Sequence, residues 1–379
     1  MQVSVLFCGA WDEGPGYPRT ASLRQGLLRA GVQVRECRLP GEGHRKQGLL
    51  TAPWRWPAFL LRQWAQRRQL ARETRAAVLA ARPRCIVVPY PGHALVSAVK
   101  AATDVPVVLD LFLSAYDTVV EDRRVVAPGS LAARWLQRLD TRACAAADLV
   151  LLDTPENAAY VAALTGLPAE RFGWLPVSDP DAQAPEPWSP SSDGRLRVLF
   201  FGTGVPLHGL RTLLDAVAEA SAVHLTLVGG TAAERQHAQA TLGARLQLEP
   251  AFVDRARLQQ LLGRCQLAAG VFGDSGKAQR VVPWKVVHAL AAGRPVVTAD
   301  TPAVCRWLDG SGAVFLVPAN DSGALGRELS RLAAEPTLVA RAAATARDAY
   351  ERSFSTARTA QRWQALLQQL DRDSAVVAP

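Results

Sequence analysis

No stretch of this 379-residue sequence stays apolar for the roughly 18 residues that a membrane-spanning helix requires. Cysteine is sparse and scattered: Cys8, Cys37, Cys85, Cys144, Cys265 and Cys305, with no C-x-x-C pair among them. That spacing argues against a disulfide or zinc framework and for reduced thiols packed as small hydrophobes in a cytosolic protein. The opening "MQVSVLFCGAWDEG" lacks the basic segment of a signal peptide and reads as a first strand. No G-x-G-x-x-G follows a first strand and there is no Walker loop, which sets aside a nicotinamide enzyme and a P-loop ATPase. Zinc-finger spacing, an aromatic-glycine RNA-binding motif and a helix-turn-helix pattern are missing too, so nucleic acid is not an expected partner. Acidic residues are in deficit, 34 against 43 basic, giving a net charge of +9. The excess favours an anionic partner such as a nucleotide or a phospholipid headgroup. With 49% hydrophobic and 20% charged residues the chain has material for two cores and is not a disordered one. The expected place is the cytoplasm, or the inner face of a membrane as a peripheral protein.

What is present is a repeated grammar. "VSVLF", "CIVVP", "VPVVLD" and "ADLVLLD" are short runs apolar on both faces, separated by helical patterns. Such runs make a buried parallel sheet. The stretch Pro176–Arg195 is rich in proline, serine and acid, the composition of a linker. The alternation restarts at "LRVLFFG" and continues through "VHLTLVGG", "CQLAAGVFG" and "RPVVTAD"; Pro336–Leu370 is helical and rich in Ala, Arg and Gln. The fold class is therefore α/β: two Rossmann-like, doubly wound domains, 1–177 and 196–350, joined by a linker at 178–195 and followed by a carboxyl-terminal segment, 351–379. Ligands are expected at the carboxyl ends of the strands, in the cleft between the domains.

Several residues at those strand ends have the chemistry for a phosphorylated ligand. In "FFGTGVPLHGLRTLLDAV", Gly202 and Thr203 end a strand, Pro206 sets a turn, and His208 and Gly209 open a helix whose free N–H groups suit a phosphate. "GKAQRVVPWK" gathers Lys277, Arg280 and Lys285; these either steady a departing diphosphate or are solvated surface charges. His288 follows in "KVVHALAAGRPVV": a neutral imidazole accepts a hydrogen bond from one hydroxyl, where a carboxylate would hold two. In the first half, Gly14 and Gly16 of "CGAWDEGPGYPRT" allow a close ligand approach or merely a chain reversal, and Arg19 is the residue there expected to touch a phosphate or the acceptor. Tyr90 and His93 of "PYPGHALV" are expected on the acceptor side. Asp110 and Asp117 of "VLDLFLSAYDT" either orient an acceptor hydroxyl and take its proton or serve as cap and turn residues.

The segments "FFGTGVPLHGLRTLLDAV" and "KVVHALAAGRPVV" resemble the donor domain of glycosyltransferase family 4, and "VLDLFLSAYDTVVEDRRVVAPGSLAARWLQRLDTRACAAADLVLLDT" is similar to acceptor domains of a bacterial branch of that family. The resemblance covers nearly the whole chain. It implies a GT-B fold with a last helix crossing back to the first domain. It also implies transfer of a sugar, with retention, from a nucleotide-diphosphate sugar to a glycan or lipid-linked acceptor, in assembly of a bacterial surface glycan or glycolipid. No cofactor and no metal are expected on that resemblance. The chain departs from the family pattern at four polar positions. Thr203 and His208 stand where arginine and lysine are common, and Arg280 and His288 where two glutamates are common. Those departures keep two other readings open: a catalytically silent GT-B protein that binds a partner or a glycan, and a sugar-nucleotide epimerase or hydrolase. Finally, "HRKQGLLTAPWRWPAFLLRQWAQRRQLARETR" is basic and carries Trp54, Trp56 and Trp64. Leu60, Trp64, Ala71 and Val78 fall on one helical stripe and Arg68, Arg72 and Arg75 on another, which fits either an anionic membrane surface or an ordinary packed helix.

Overall fold

The computed structural model describes residues 3–14, 17–40 and 56–377, and side chains within 3–14, 17–40 and 64–372. The chain folds as two compact units: Met1–Thr118 with Val126–Ser178 and Thr356–Pro379, and Asp179–Ser355 with Val119–Val125.

The first unit runs β1 (Ser4–Ala10), α1 (Pro18–Arg29), β2 (Gln33–Leu39), α2 (Trp56–Ala81), β3 (Cys85–Val88), α3 (Val96–Lys100), β4 (Val107–Asp110), α4 (Leu131–Ala145), β5 (Leu149–Leu152), α5 (Pro155–Thr165) and β6 (Phe172–Trp174). A π-helical turn, Asp117–Asp122, lies between β4 and α4. The strands pair in the order β2-β1-β3-β4-β5-β6, all parallel. Alternate side chains of each strand feed opposite faces. Leu6, Cys8, Ile86 and Val88 enter one core, and Val5, Phe7, Cys85 and Val87 the other. Two-sided burial is why these strands read as unbroken apolar runs. Helix starts follow local chemistry: Ser130 Oγ accepts the Ala133 N–H at 3.1 Å, and Thr154 Oγ1 accepts that of Asn157 with Pro155 at the first helical position.

On α2 the packed stripe differs from the expected one. Leu70 and Thr74 are fully buried, with Ala77 and Val78 against the core, whereas Trp64 is 54% exposed. Arg67 turns aside to donate to Ser97 Oγ at 2.6 Å. Trp54 lies outside the described residues.

The second unit runs β7 (Leu196–Gly202), α6 (Leu210–Glu219), β8 (Val223–Gly229), α7 (Ala232–Leu242), β9 (Leu246–Leu248), α8 (Arg255–Arg264), β10 (Leu267–Ala269), α9 (Gly276–Arg280), α10 (Trp284–Ala291), β11 (Val296–Ala299), α11 (Pro302–Leu308), β12 (Val314–Val317), α12 (Ser322–Ala334) and α13 (Pro336–Ser353). Its strands pair in the order β12-β11-β10-β7-β8-β9, again all parallel. Phe200 and Leu225 pack on one face, Leu199 and Phe201 on the other. The last helix, α14 (Thr356–Val377), belongs to the first unit and packs on α1. The contact is close because Gly26 has no side chain: a Cβ there would lie 2.5 Å from Thr359 Cγ2. Trp363 is fully buried, with Nε1–H donating to Leu23 O at 3.0 Å.

Candidate functional site

In the second unit the site grows from the carboxyl end of β7. Gly202 there has φ 156°, and its carbonyl accepts the Gly230 N–H at 2.8 Å. A tight turn at Pro206–His208 follows, then Gly209 in the left-handed region with φ 57°. Glycine is required at 209 by sterics, since a Cβ would sit 2.5 Å from Gly273 N. The turn is stitched to the segment after β10 by Phe272 N–H to His208 O (3.0 Å) and Gly273 N–H to Leu207 O (3.1 Å). Gly209 starts α6 with no side-chain cap, so the helix presents its first N–H groups without a side-chain acceptor. Thr203 is exposed in the loop above.

Lys285, second residue of α10, reaches this loop. Its Nζ lies 3.8 Å above the centre of the Phe200 ring. A Cβ on Gly202 would fall 2.8 Å from that Nζ and 2.7 Å from His208 Cε1, so the missing side chain is what lets the three groups converge. Lys285 is 5% exposed and its Nζ has no hydrogen-bond partner. Burial pushes the ammonium well below the ordinary lysine value, opposed by Glu234. His208 Nδ1 is likewise buried and unpartnered, and burial with the Lys285 charge lowers the imidazole to about 2. Glu234 forms a capping box on α7, accepting Thr231 N–H at 2.7 Å. The carboxyl end of β7 thus gathers the buried Lys285 amine, a neutral imidazole and an uncapped helix start, all able to donate hydrogen bonds to an anion.

His288, one turn along α10 from Lys285, is 3% exposed. Its ring stacks on Trp284 at 5.4 Å, meets the edge of Phe201 at 6.0 Å, and directs Nδ1 to Asp179 Oδ2 at 2.7 Å. With Asp179 as acceptor the proton is on Nδ1, and Nε2, buried and unpartnered, is the one polar atom His288 has left. Burial raises the Asp179 carboxyl, but His288 and Arg255 together bring it below the usual carboxylate range. Arg255 Nη2 lies 3.0 Å from Asp179 Oδ1, and Tyr350 O–H donates to Asp179 O at 3.0 Å. The expected group of three cations is corrected in part. Arg280 is drawn to Glu121 at 3.3 Å and Lys277 is buried on α9, while Lys285 is the one these contacts set against Gly202 and His208.

In the first unit the structure corrects Arg19 and Asp110. Arg19 Nε and Nη2 donate to Asp110 Oδ1 at 2.9 and 2.7 Å, Nη2 also to Leu152 O at 3.1 Å, and Nη1 to Leu175 O. The pair is 4% and 0% exposed. A guanidinium so surrounded is a tie between strand ends rather than a phosphate ligand, and Asp110 Oδ1 is taken up by it. Asp117 is buried at the start of the π-helical turn, its N–H donating to Ser114 Oγ at 3.0 Å. Gly14 takes a positive φ of 126° and accepts the Tyr17 N–H at 3.0 Å; Gly16 lies outside the described residues.

The residue that organises this end of the first sheet is one the sequence reading passed over, Asp140 of α4. It accepts Ser114 O–H at 2.7 Å, Tyr116 N–H at 2.9 Å and Ala115 N–H at 3.0 Å. His93 Nε2 lies 3.1 Å from Asp140 Oδ1, close enough for an ion pair but off hydrogen-bond alignment. Burial pushes the Asp140 carboxyl up, but His93 and these donors bring it below the usual range. Tyr90 touches both His93 (6.3 Å) and Phe112 (5.8 Å) edge-on, and Phe112 holds a positive φ of 54°. A signal for Asp140 existed: with Ala133, Ala143 and Cys144 it falls on the buried face of an amphipathic helix, where an acid needs partners.

Among the described residues no three His, Cys, Asp or Glu side chains group as a metal site, and no helix is long and apolar enough to cross a membrane.

Two parallel sheets, each flanked by helices, with polar groups converging at strand ends, define a two-domain α/β protein of the GT-B class. Sucrose-phosphate synthase from Thermosynechococcus elongatus shares the fold with a TM-score of 0.67 at 16% identity, covering 98% of this chain and 100% of that one. The Anabaena protein HepE, solved in complex with UDP, gives 0.64 at 17% identity, over 97% and 100% of the two chains. TarM from S. aureus, in a complex that includes UDP, gives 0.59 at 12% identity, over 78% and 58%. A search of curated proteins finds no match. The family model for a glycosyl transferase 4-like domain matches residues 1–177, and that for glycosyl transferases group 1 matches residues 195–335. The chain belongs to glycosyltransferase family 4.

Proposed function

We propose that the protein transfers a sugar from a nucleoside-diphosphate sugar to an acceptor hydroxyl. The observation that carries this reading is the buried, unpartnered ammonium of Lys285 against Gly202 and His208. An isolated buried cation is costly, and a diphosphate would satisfy it. The charge on the diphosphate grows as the glycosidic bond breaks, so a fixed cation there favours the transition state over the ground state. The α6 N-terminus adds N–H groups to the same anion. Retention of configuration, independence from metal, and work on a bacterial surface glycan or glycolipid extend the proposal on the family resemblance. HepE and TarM were solved with UDP, which makes uridine diphosphate the first ligand to try. In the first unit we assign the acceptor side to Tyr90 and His93, held by Asp140.

An interfacial location belongs to the same proposal. Trp64, Arg68, Arg72 and Arg75 form an exposed stripe on α2, with the Arg68 guanidinium 3.8 Å above the Trp64 ring. Replacing the three arginines with glutamine should reduce co-sedimentation with anionic vesicles and leave the circular dichroism spectrum unchanged. Wild-type protein that ignores such vesicles removes the membrane from the proposal.

A second reading, a silent GT-B binding protein, has its own support: His288 and Arg280 stand at the family's two glutamate positions, and both are drawn to acids of this chain. Hydrolysis of nucleotide sugars without acceptor decides between them. Slow release of nucleoside diphosphate supports the transferase, fast complete turnover points to a hydrolase, and binding without any release points to the silent protein.

A further inference from the structure

The register of β1 against β2 sets Cys8 opposite Cys37. Paired residues on adjacent parallel strands point to the same face, and both thiols enter the core shared with Leu70 of α2. Neighbouring strands lie about 4.8 Å apart, inside the Cα separation of about 4.4–6.8 Å that a disulfide spans. Cys8 is fully buried, while Cys37, on the edge strand, keeps 8% of its surface open. Cys37 Sγ lies 3.6 Å from Glu73 Oε2, and Gln69 Nε2 holds the other carboxylate oxygen at 2.8 Å. All six cysteines are free thiols.

The pair is chemically unlike the other four cysteines. Burial is the largest force on Cys85 and Cys265, pushed up to about 12, and on Cys305, pushed up to about 11 with help from Asp300. Cys144 is raised by burial as well. Contact with Cys8 instead brings Cys37 below the ordinary thiol value, against burial and Glu73, while the same contact and burial push Cys8 up. Cys37, the more exposed thiol of the pair, is the one a small disulfide reaches first, with a resolving thiol opposite it.

We propose that Cys8 and Cys37 are a redox-active dithiol, converted by a small disulfide such as oxidised glutathione into a Cys8–Cys37 disulfide. The Cys37 thiolate attacks one glutathione sulfur; a mixed disulfide forms and one glutathione thiolate leaves. The Cys8 thiol then loses its proton and attacks Cys37 Sγ, expelling the second glutathione thiolate. Two protein thiols are oxidised, one glutathione disulfide is reduced, and the two protons end on the two glutathiones. The bond would staple the edge strand to β1 one residue before Gly9, at the root of the loop leading to α1.

The test uses the native full-length protein: incubation with oxidised glutathione, quenching with N-ethylmaleimide, and peptide mass spectrometry. The expected result is a Cys8–Cys37 cross-linked peptide pair that dithiothreitol reverses, with Cys85, Cys144 and Cys265 still alkylated after unfolding. Cys8→Ser should stop at a single glutathione adduct on Cys37. Wild-type protein whose two thiols stay fully alkylatable, or that carries glutathione on Cys37 without the cross-link, overturns the proposal.

Discussion

Lys285 shows how a single side chain can be favourable for binding and unfavourable for folding. Its ammonium sits over an aromatic ring without a hydrogen-bond partner. Lys285→Met keeps most of the chain's volume and removes the buried charge. We expect diphosphate affinity measured by calorimetry to fall about tenfold to about a hundredfold, the range for a hydrogen bond to a charged group of about 1.5–3 kcal/mol. The same variant should be more stable than wild type near neutral pH. The folded-state value of Lys285 lies below its ordinary 10.5, so between the two the unfolded chain binds more protons and stability rises with pH. The Lys285→Met advantage in urea denaturation should therefore shrink as pH climbs towards 10.5; an advantage that does not change with pH would contradict the buried-charge account. His288 gives a second case. His288→Ala removes the group nearest Asp179 Oδ2, and should cost about 1–3 kcal/mol of stability because a buried acceptor loses its donor. If Nε2 also meets a ribose hydroxyl, nucleotide affinity should fall by about 0.5–1.5 kcal/mol. Unchanged affinity in a folded variant confines His288 to holding Asp179.

Elements in this protein meet closely where glycine permits it. Gly209 at the start of α6 has φ 57° and backbone atoms of Gly273 and Phe272 where a Cβ would go. Gly166, after α5, has a comparable φ of 69° but open space around it. Alanine at 166 should cost about 1 kcal/mol, the left-handed penalty alone. Alanine at 209 should cost more and weaken diphosphate binding, because the turn from Pro206 must shift. Equal losses at the two positions would show that the contact with Gly273 yields easily. The packing of α14 on α1 rests on Trp363, and Trp363→Ala should destabilise the first unit by about 3–5 kcal/mol, read as a lower urea midpoint.

At the scale of the whole molecule, a ligand that binds only the folded state must stabilise it. At a hundred times its dissociation constant, a nucleoside diphosphate should add about 2.7 kcal/mol and raise Tm accordingly. A panel of uridine, guanosine, adenosine and thymidine diphosphates would identify the base by the largest shift. No shift with any of them at millimolar concentration contradicts the donor-site proposal.

Period and composition suffice for a buried parallel strand, so "CIVV" and "LVLL" could be placed from sequence, and with them the α/β class of both halves. The turn at Pro206–Gly209 before α6 and the helix that carries Lys285 were also legible, since each rests on local chemistry: a proline and a glycine at a turn, and an apolar helical run. Partner choice was not. Arg19 and Asp110 are 91 positions apart, Asp179 and His288 109 apart, and each pair is joined only once strands and helices are in place. A charge seen in sequence near a strand end has two outcomes, a ligand or a buried partner. Burial decides between them, because a desolvated charge must be paired, and burial is a property of the folded chain. The sequence by itself determined the two sheets and the loops that end them. The tertiary structure alone decided which polar groups at those ends are satisfied within the protein and which, like Lys285, still lack a partner.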